Sequence, residues 1–449
     1  MNRPGVPVAL DRVPIRVRRR MDIESIEVRH RYGNAFHLKD PVALKYYRLR
    51  PDEYLIWSHL DSKKSLEELR DIYRGEFPSS TLRAADVNAL LLKLHQSGLT
   101  VSNDGGQANP LLKRKRKGQK QRLGELASSF LFMKFPGIDP RWILDCLLPW
   151  FRPLLSPLGV ILWGMFLVGS LGLFVSQYHS VFVPEFPTLD QWLTLDSVVL
   201  LMGVLAATKC LHELGHGLMC RFFGAHCRAI GPMLLVFTPA LYCDTSDSWM
   251  LADRRQRALI GLAGILAELT VAALATWIWA LTGEGILHSI AMKTMVVCGV
   301  STVFFNLNPL LRYDGYYVLA DLWDQPNLTS RSRSLIGFLA RRWFLGDRSS
   351  VQPEFMHTSF VETAMLVTYG VAAAIYRWAL TVVILFLVLT LFRELALDAL
   401  AHIIISLTVV TMLFQMIRGP RRSFLNPASR YRIRPARAAF SLVLVSLVV

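Results

Sequence analysis

The sequence predicts a mainly α, polytopic helical membrane protein with a small α+β domain at its N-terminal end. Three observations carry that prediction. Hydrophobic residues make up 52% of the 449-residue chain. The mean hydropathy of +0.34 is one that a soluble fold, which needs a polar shell, rarely reaches. Several uncharged apolar runs approach or exceed the roughly 20 residues that cross a bilayer as a helix, whereas residues 1–102 mix short strand-like runs, turn residues and amphipathic helical stretches.

In that first domain "ESIEVRH", "NAFHL" and "LKYYRL" read as strands, and Asp40-Pro41 marks a turn between the last two. Pro51 opens a helix through "DEYLIWSHL". Ser65 with Glu68 forms a capping box ahead of "LEELRDIY", whose Leu66, Leu69, Ile72 and Tyr73 share one face. A third helix carries Val87, Leu90, Leu91 and Leu94, and Gly98 ends it. A β-hairpin with three helices resembles a winged helix. The stretch "FHLKDPVALKYYRLRPDEYLIWSHLDSKKSLEEL" is similar to the PqqD-like family over residues 24–100. That resemblance implies a domain that binds the leader of a ribosomally made peptide. The structural alternative is a head used for packing or dimerisation. DNA binding is disfavoured, because the third helix shows only Arg83, Lys93 and His95 as basic groups.

Residues 103–140 contain a Gly/Asn/Pro-rich stretch and then the dense basic run "KRKRKGQKQR", read as a tether against anionic headgroups. The spans follow: Leu158–Val175, Ser197–Cys220, Ala258–Leu281 and Ile286–Leu311. The stretch Val361–Phe392 is too short for two crossings and reads as one, with a membrane-dipping lead-in around Gly370. Leu395–Ile417 is a sixth span. Residues 177–196 lack Lys and Arg, while 221–257 and 312–348 are rich in them, so the latter two are expected in the cytoplasm. The formal net charge of +16 is then a membrane-orienting surplus. It is scattered between spans, which speaks against nucleic acid as a partner.

Six cysteines without a C-x-x-C pair suggest buried thiols, not a disulfide scaffold. The start has no apolar core of a cleavable signal, so the N-terminus is expected in the cytoplasm. Lys293 is expected to snorkel outward.

The chemistry is concentrated in two motifs. "HELGH" puts His212 and His216 four apart on one helix, so both rings can take one metal, and Glu213 stands beside them as a general base. Ionisable groups inside a span are costly and usually functional. A catalytic zinc takes three protein ligands and keeps a fourth position open. The third ligand is sought in "FNLNPLLRYDGYY", which lies at the end of the fourth span on the same side as the HExxH helix. The residues that mark this candidate segment are Asn306, Pro309, Asp314 and Gly315. Glu268 lies mid-span and reads either as a group near the site or as a packing residue. Asp244, in "TPALYCDTSDSW" with Cys243 and Asp247, reads either as lining an entrance or as capping a loop.

HELGH in one span with N-x-x-P-x-x-x-x-D-G at the end of a later one resembles the site-2 protease family of intramembrane zinc metallopeptidases. The longer stretch "NPLLRYDGYYVLADLWDQPNL" is similar to its bacterial peptide zinc metalloprotease branch, and the likeness covers residues 141–420. The resemblance implies Zn2+ held by His212, His216 and Asp314, catalysis by Glu213 and a substrate strand positioned by Asn306. Arg312 departs from the apolar residue or proline that many members carry there. The function so implied is cleavage of a peptide or membrane-anchored precursor, with the head recruiting a leader. The alternative is a non-proteolytic peptide-binding component of an export system. Expected partners are that substrate, membrane lipids and an export adaptor. Residues 421–449 form a basic segment and the start of an incomplete span. That end suggests a truncated product of a longer gene, or an adaptor of HlyD-like type supplied by a partner.

Overall fold

A computed structural model describes residues 14–30, 33–78, 83–102, 132–192, 194–235, 238–344, 359–394 and 397–424. The basic tether from 103 to 131 and the final apolar run lie outside the described residues. The protein is mainly α and polytopic, and it divides into two compact units. The first is Met1–Pro153 with His216–Ile260, the second Leu154–Gly215 with Gly261–Val449.

The first unit begins with strands β1 (Val17–Arg19), β2 (Glu24–His30), β3 (Gly33–Asp40) and β4 (Lys45–Leu49). Helices α1 (Pro51–Ser58), α2 (Leu66–Glu76) and α3 (Ala84–Ser97) follow, then β5 (Thr100–Ser102). β2, β3 and β4 form one antiparallel sheet in that order, and β1 pairs with β5. Apolar alternation in β3 and β4 turns Leu38 and Leu49 inward onto Ile56, Trp57, Leu69, Tyr73 and Leu94 of the helices. Both halves of the Ser65/Glu68 capping box are formed. Gly98 ends α3 at φ +79°, a left-handed conformation that glycine adopts without a Cβ clash.

The same unit holds β6 (Phe132–Lys134), α4 (Arg141–Phe151), β7 (Ile230–Leu235) and β8 (Thr238–Cys243), with the three strands in one antiparallel sheet. The loop after β8 receives the face of the head sheet. Lys39 Nζ lies 2.8 Å from Asp247 Oδ1, and Tyr46 Oη donates to the same oxygen at 3.0 Å. Arg228 pairs with Asp247 at 3.3 Å and stacks over the Tyr46 ring. The His37 Nδ1–H donates to the Trp249 carbonyl at 2.7 Å. Burial alone would raise the Asp247 pKa. Hydrogen bonds from Lys39, the His226 N–H and Tyr46 outweigh it and hold the carboxyl below its usual range.

The second unit contains α5 (Pro157–Gln177), most of α6 (Leu195–Phe222) and α7 (Arg254–Leu281), and α8 (Ile286–Val300), continued by a π-helical turn over Ser301–Asn306. It ends with α9 (Asp314–Leu322), α10 (Leu328–Phe344), α11 (Phe360–Glu394) and α12 (Asp398–Phe424). Five of the described helices are long and apolar enough to cross a membrane: α5, α6, α7, the continuous Ile286–Asn306 and the Phe360–Arg393 part of α11.

Five expectations are corrected here. The fourth span stops at Asn306 rather than Leu311, because Pro309 follows and disfavours helix in the residue before it. The Val361–Phe392 stretch has no dipping lead-in, since α11 is one unbroken helix of 35 residues. Its Gly370 serves close packing on α10: a Cβ there would meet Ser332 Oγ at 2.1 Å. The expected sixth span, Leu395–Ile417, falls on α12, whose apolar part Asp398–Phe414 is shorter than the five helices long and apolar enough to cross a membrane. Lys293 does not snorkel: it is buried and reaches Ser197 and Ser289, each at 3.3 Å. Of the six thiols, Cys146 is exposed.

Candidate metal centre

The HExxH residues sit on α6, which runs unbroken from Leu195 to Phe222, so His216 follows His212 by one helical turn. Gly215 between them lets α7 approach. A Cβ at that position would stand 2.8 Å from the Ala263 carbonyl oxygen and 3.2 Å from the Ala267 Cβ. Both histidines are buried. The His216 Nδ1–H donates to the Ile260 carbonyl at 2.7 Å. A carbonyl can only accept, so this bond sets the tautomer and leaves the Nε2 lone pair as the ligating one.

Asp314 is the first residue of α9. Its Oδ2 lies 2.8 Å from His212 Nε2. The neighbouring Gly315 makes that placement possible: a Cβ there would fall 2.3 Å from the Leu307 carbonyl oxygen, so only glycine lets the helix start against the backbone leaving the π turn. The ligand atoms of His212, His216 and Asp314 all lie within 4.8 Å of one another, and among the described residues this is the one such group of three. Two imidazole nitrogens and one carboxylate oxygen match the three-ligand donor set of a catalytic zinc.

Glu213 is half-buried beside His212 on the same helix. Glu268 is 1% exposed. Its Oε1 lies 2.6 Å from Lys209 Nζ and 3.1 Å from His212 Nδ1, a hydrogen-bond distance without ideal alignment. Its Oε2 accepts from Thr302 Oγ1 at 2.6 Å and from Asn306 Nδ2 at 2.8 Å. The amide nitrogen of Asn306 is therefore engaged by Glu268 in this structure. Asp244 takes the Ser246 N–H at 3.1 Å and caps its own loop in the first unit. Arg312 is exposed and lies over the Tyr316 ring.

Sequence reading missed Lys209 and Thr302. Lys209 carried a signal: it is a lysine inside an apolar run, three residues before His212 and on the same helical face. Thr302 carried none, since a lone threonine in a span usually bonds its own backbone.

Comparison with curated proteins finds similarity to "Putative peptide zinc metalloprotease protein YydH" of Bacillus subtilis (strain 168). The two are 31% identical over 111 residues, 24% of this chain and 42% of that protein. The chain thus covers less than half the length of this curated relative. No family model matches the chain, and no solved structure matches it.

Proposed function

We propose that the chain is an intramembrane zinc metalloendopeptidase of the site-2 protease type, cleaving a peptide or a membrane-anchored precursor. One observation carries the reading. An HExxH pair on a helix long and apolar enough to cross a membrane and a carboxylate at the start of α9 bring three ligand atoms within 4.8 Å of one another. The likeness to a protein named as a peptide zinc metalloprotease supports it.

His212, His216 and Asp314 would hold the ion. When bound, zinc polarises a scissile carbonyl and makes water a nucleophile near neutral pH. Glu213, next in sequence to His212, takes the proton of the attacking water and passes it to the leaving amine. The burial of the two histidines limits access of bulk water and strengthens those charge interactions. A helical substrate must first unwind, because its carbonyls are already hydrogen-bonded within the helix. The basic loops on the HExxH side support a cytoplasmic opening of the site and a cytoplasmic N-terminus in the bacterial inner membrane. The head then recruits the leader of the substrate, the basic tether lies on anionic lipids, and an export adaptor is a fitting further partner.

Metal content and cleavage test the reading together. The purified protein binds about one zinc per chain, and His216→Ala or Asp314→Asn loses most of it, because two ligands hold zinc poorly. Glu213→Gln keeps the zinc, stops cleavage and retains trapped peptide that mass spectrometry identifies. Unchanged metal in both ligand variants would overturn the ligand set, and an active Glu213→Gln would overturn the base. For the head, KM on a leader-bearing peptide falls below KM on the same peptide without its leader. Equal values would leave the head a structural role.

A further inference from the structure

Glu268 stands in the middle of α7, among apolar residues. A buried carboxylate there needs its charge and its lone pairs met. Four groups surround it: Lys209 and His212 of α6 at Oε1, and Thr302 and Asn306 of the π turn at Oε2. A carboxylate has about four lone-pair positions, so each has one neighbour. The two oxygens divide the work. Oε2 is anchored by neutral donors from the end of α8. Oε1 faces the metal-ligand helix with a cation on one side and an imidazole on the other.

We propose that Glu268 is a positioning residue for the metal ligand His212, itself held in place by Lys209, Thr302 and Asn306. This rests on the metalloprotease reading. The imidazole of His212 sits between two carboxylates, Glu268 at Nδ1 and Asp314 at Nε2. A carboxylate beside Nδ1 keeps the proton on that nitrogen and the lone pair on Nε2, the atom that faces the other ligands. It also opposes a flip of the ring, which would set a carbon against Oε1. His216 receives the same service from the Ile260 carbonyl. The two histidines are therefore oriented by different means, one by backbone and one by a charged side chain. Lys209 compensates the charge of Glu268, so the orienting group brings no uncompensated buried anion. Asn306 then acts on the reaction through Glu268 and His212, rather than by holding a substrate strand.

Zinc affinity separates this role from that of a mere helix cross-link, which would alter stability and leave affinity unchanged. The full chain in detergent is titrated with zinc against a chromophoric chelator. Loss of an outer-shell partner costs roughly 10–100-fold in metal affinity, so Glu268→Gln weakens zinc binding by about that factor at an unchanged size-exclusion profile. Asn306→Ala weakens it by a smaller factor and lowers kcat more than it raises KM. Wild-type zinc affinity in Glu268→Gln would overturn the proposal. A raised KM with unaltered zinc affinity in Asn306→Ala would return that residue to substrate binding and overturn its part. If Glu268→Gln does not fold, Thr302→Val decides: it removes one donor at constant volume and charge. Weaker zinc binding then supports the proposal, and unaltered binding overturns it. His212→Ala is the control. Zinc retained there would sink the metalloprotease reading itself, whereas zinc lost there and kept in Glu268→Gln defeats only the present inference.

Discussion

Acidification should loosen the head from the loop that follows β8, and His37 sets how much. The ring is 3% exposed. Its Nδ1–H is used on the Trp249 carbonyl, and its buried Nε2 has no hydrogen-bond partner among the described residues. A second proton would sit on that nitrogen in apolar surroundings. Burial is the largest cause that pulls the His37 pKa down to about 4. The Trp249 bond opposes it, while His30, Arg257 and Arg48 add to it. The native pKa lies below the unfolded value near 6.5. The neutral ring therefore contributes stability that is fully present above pH 6.5 and is lost as pH falls toward 4. The whole effect is about 3 kcal/mol, and between pH 7.5 and pH 5 it is about 2 kcal/mol, or roughly 30-fold in the opening equilibrium. Asp247, held below the ordinary carboxylate range, stays charged through that window. Hydrogen exchange on the full chain, corrected for intrinsic rates, measures the effect over residues 33–40 and 246–250. Protection falls about 30-fold in the wild type and stays nearly level in His37→Phe. An equal fall in both proteins would refute the argument, because the pH response would then come from another group.

Two further changes probe the second unit. Gly315→Ala places a methyl 2.3 Å from the Leu307 carbonyl oxygen, so the start of α9 must shift. The expected cost is about 1–3 kcal/mol in thermal unfolding, with reduced zinc content because Asp314 moves with it; a wild-type melting temperature and zinc content would show that the contact yields cheaply. Lys209→Met strands a carboxylate that is 1% exposed. Breaking a buried pair costs about 3–5 kcal/mol, and the three remaining neighbours of Glu268 put this case near 3 kcal/mol. The double change to Lys209→Met with Glu268→Met should recover most of that loss; a double variant no more stable than the single one would deny the pairing.

Much that depends on local order was legible in the sequence, although the β7–β8 hairpin and β6, within the stretch read as linker, were not read from it. Period-2 alternation and turn residues marked β2, β3 and β4. Ser65 with Glu68 and Gly98 marked the two helix ends that the structure forms. Long uncharged runs marked the membrane helices within a few residues, except where Pro309 cut the fourth short. Helical spacing alone put His212 and His216 on one face. The residues alone pointed only to a motif at the end of a later span on the same side, and the family resemblance singled out Asp314 within it.

Tertiary structure decided what those periodicities cannot carry. A span that is apolar all round has no stripe to say which neighbour each face meets. The engagement of Glu268 with Lys209, 59 positions away, and with Asn306, 38 positions away, was therefore not readable. For the same reason Gly370 suggested a break and proved to be a packing contact. His37 was not singled out in the sequence, and Asp247 was read only as lining an entrance or capping a loop. Only the approach of chain segments roughly 200 residues apart buries them. Burial and charge compensation depend on distance in space, and a sequence specifies that distance only through the packing of the whole chain.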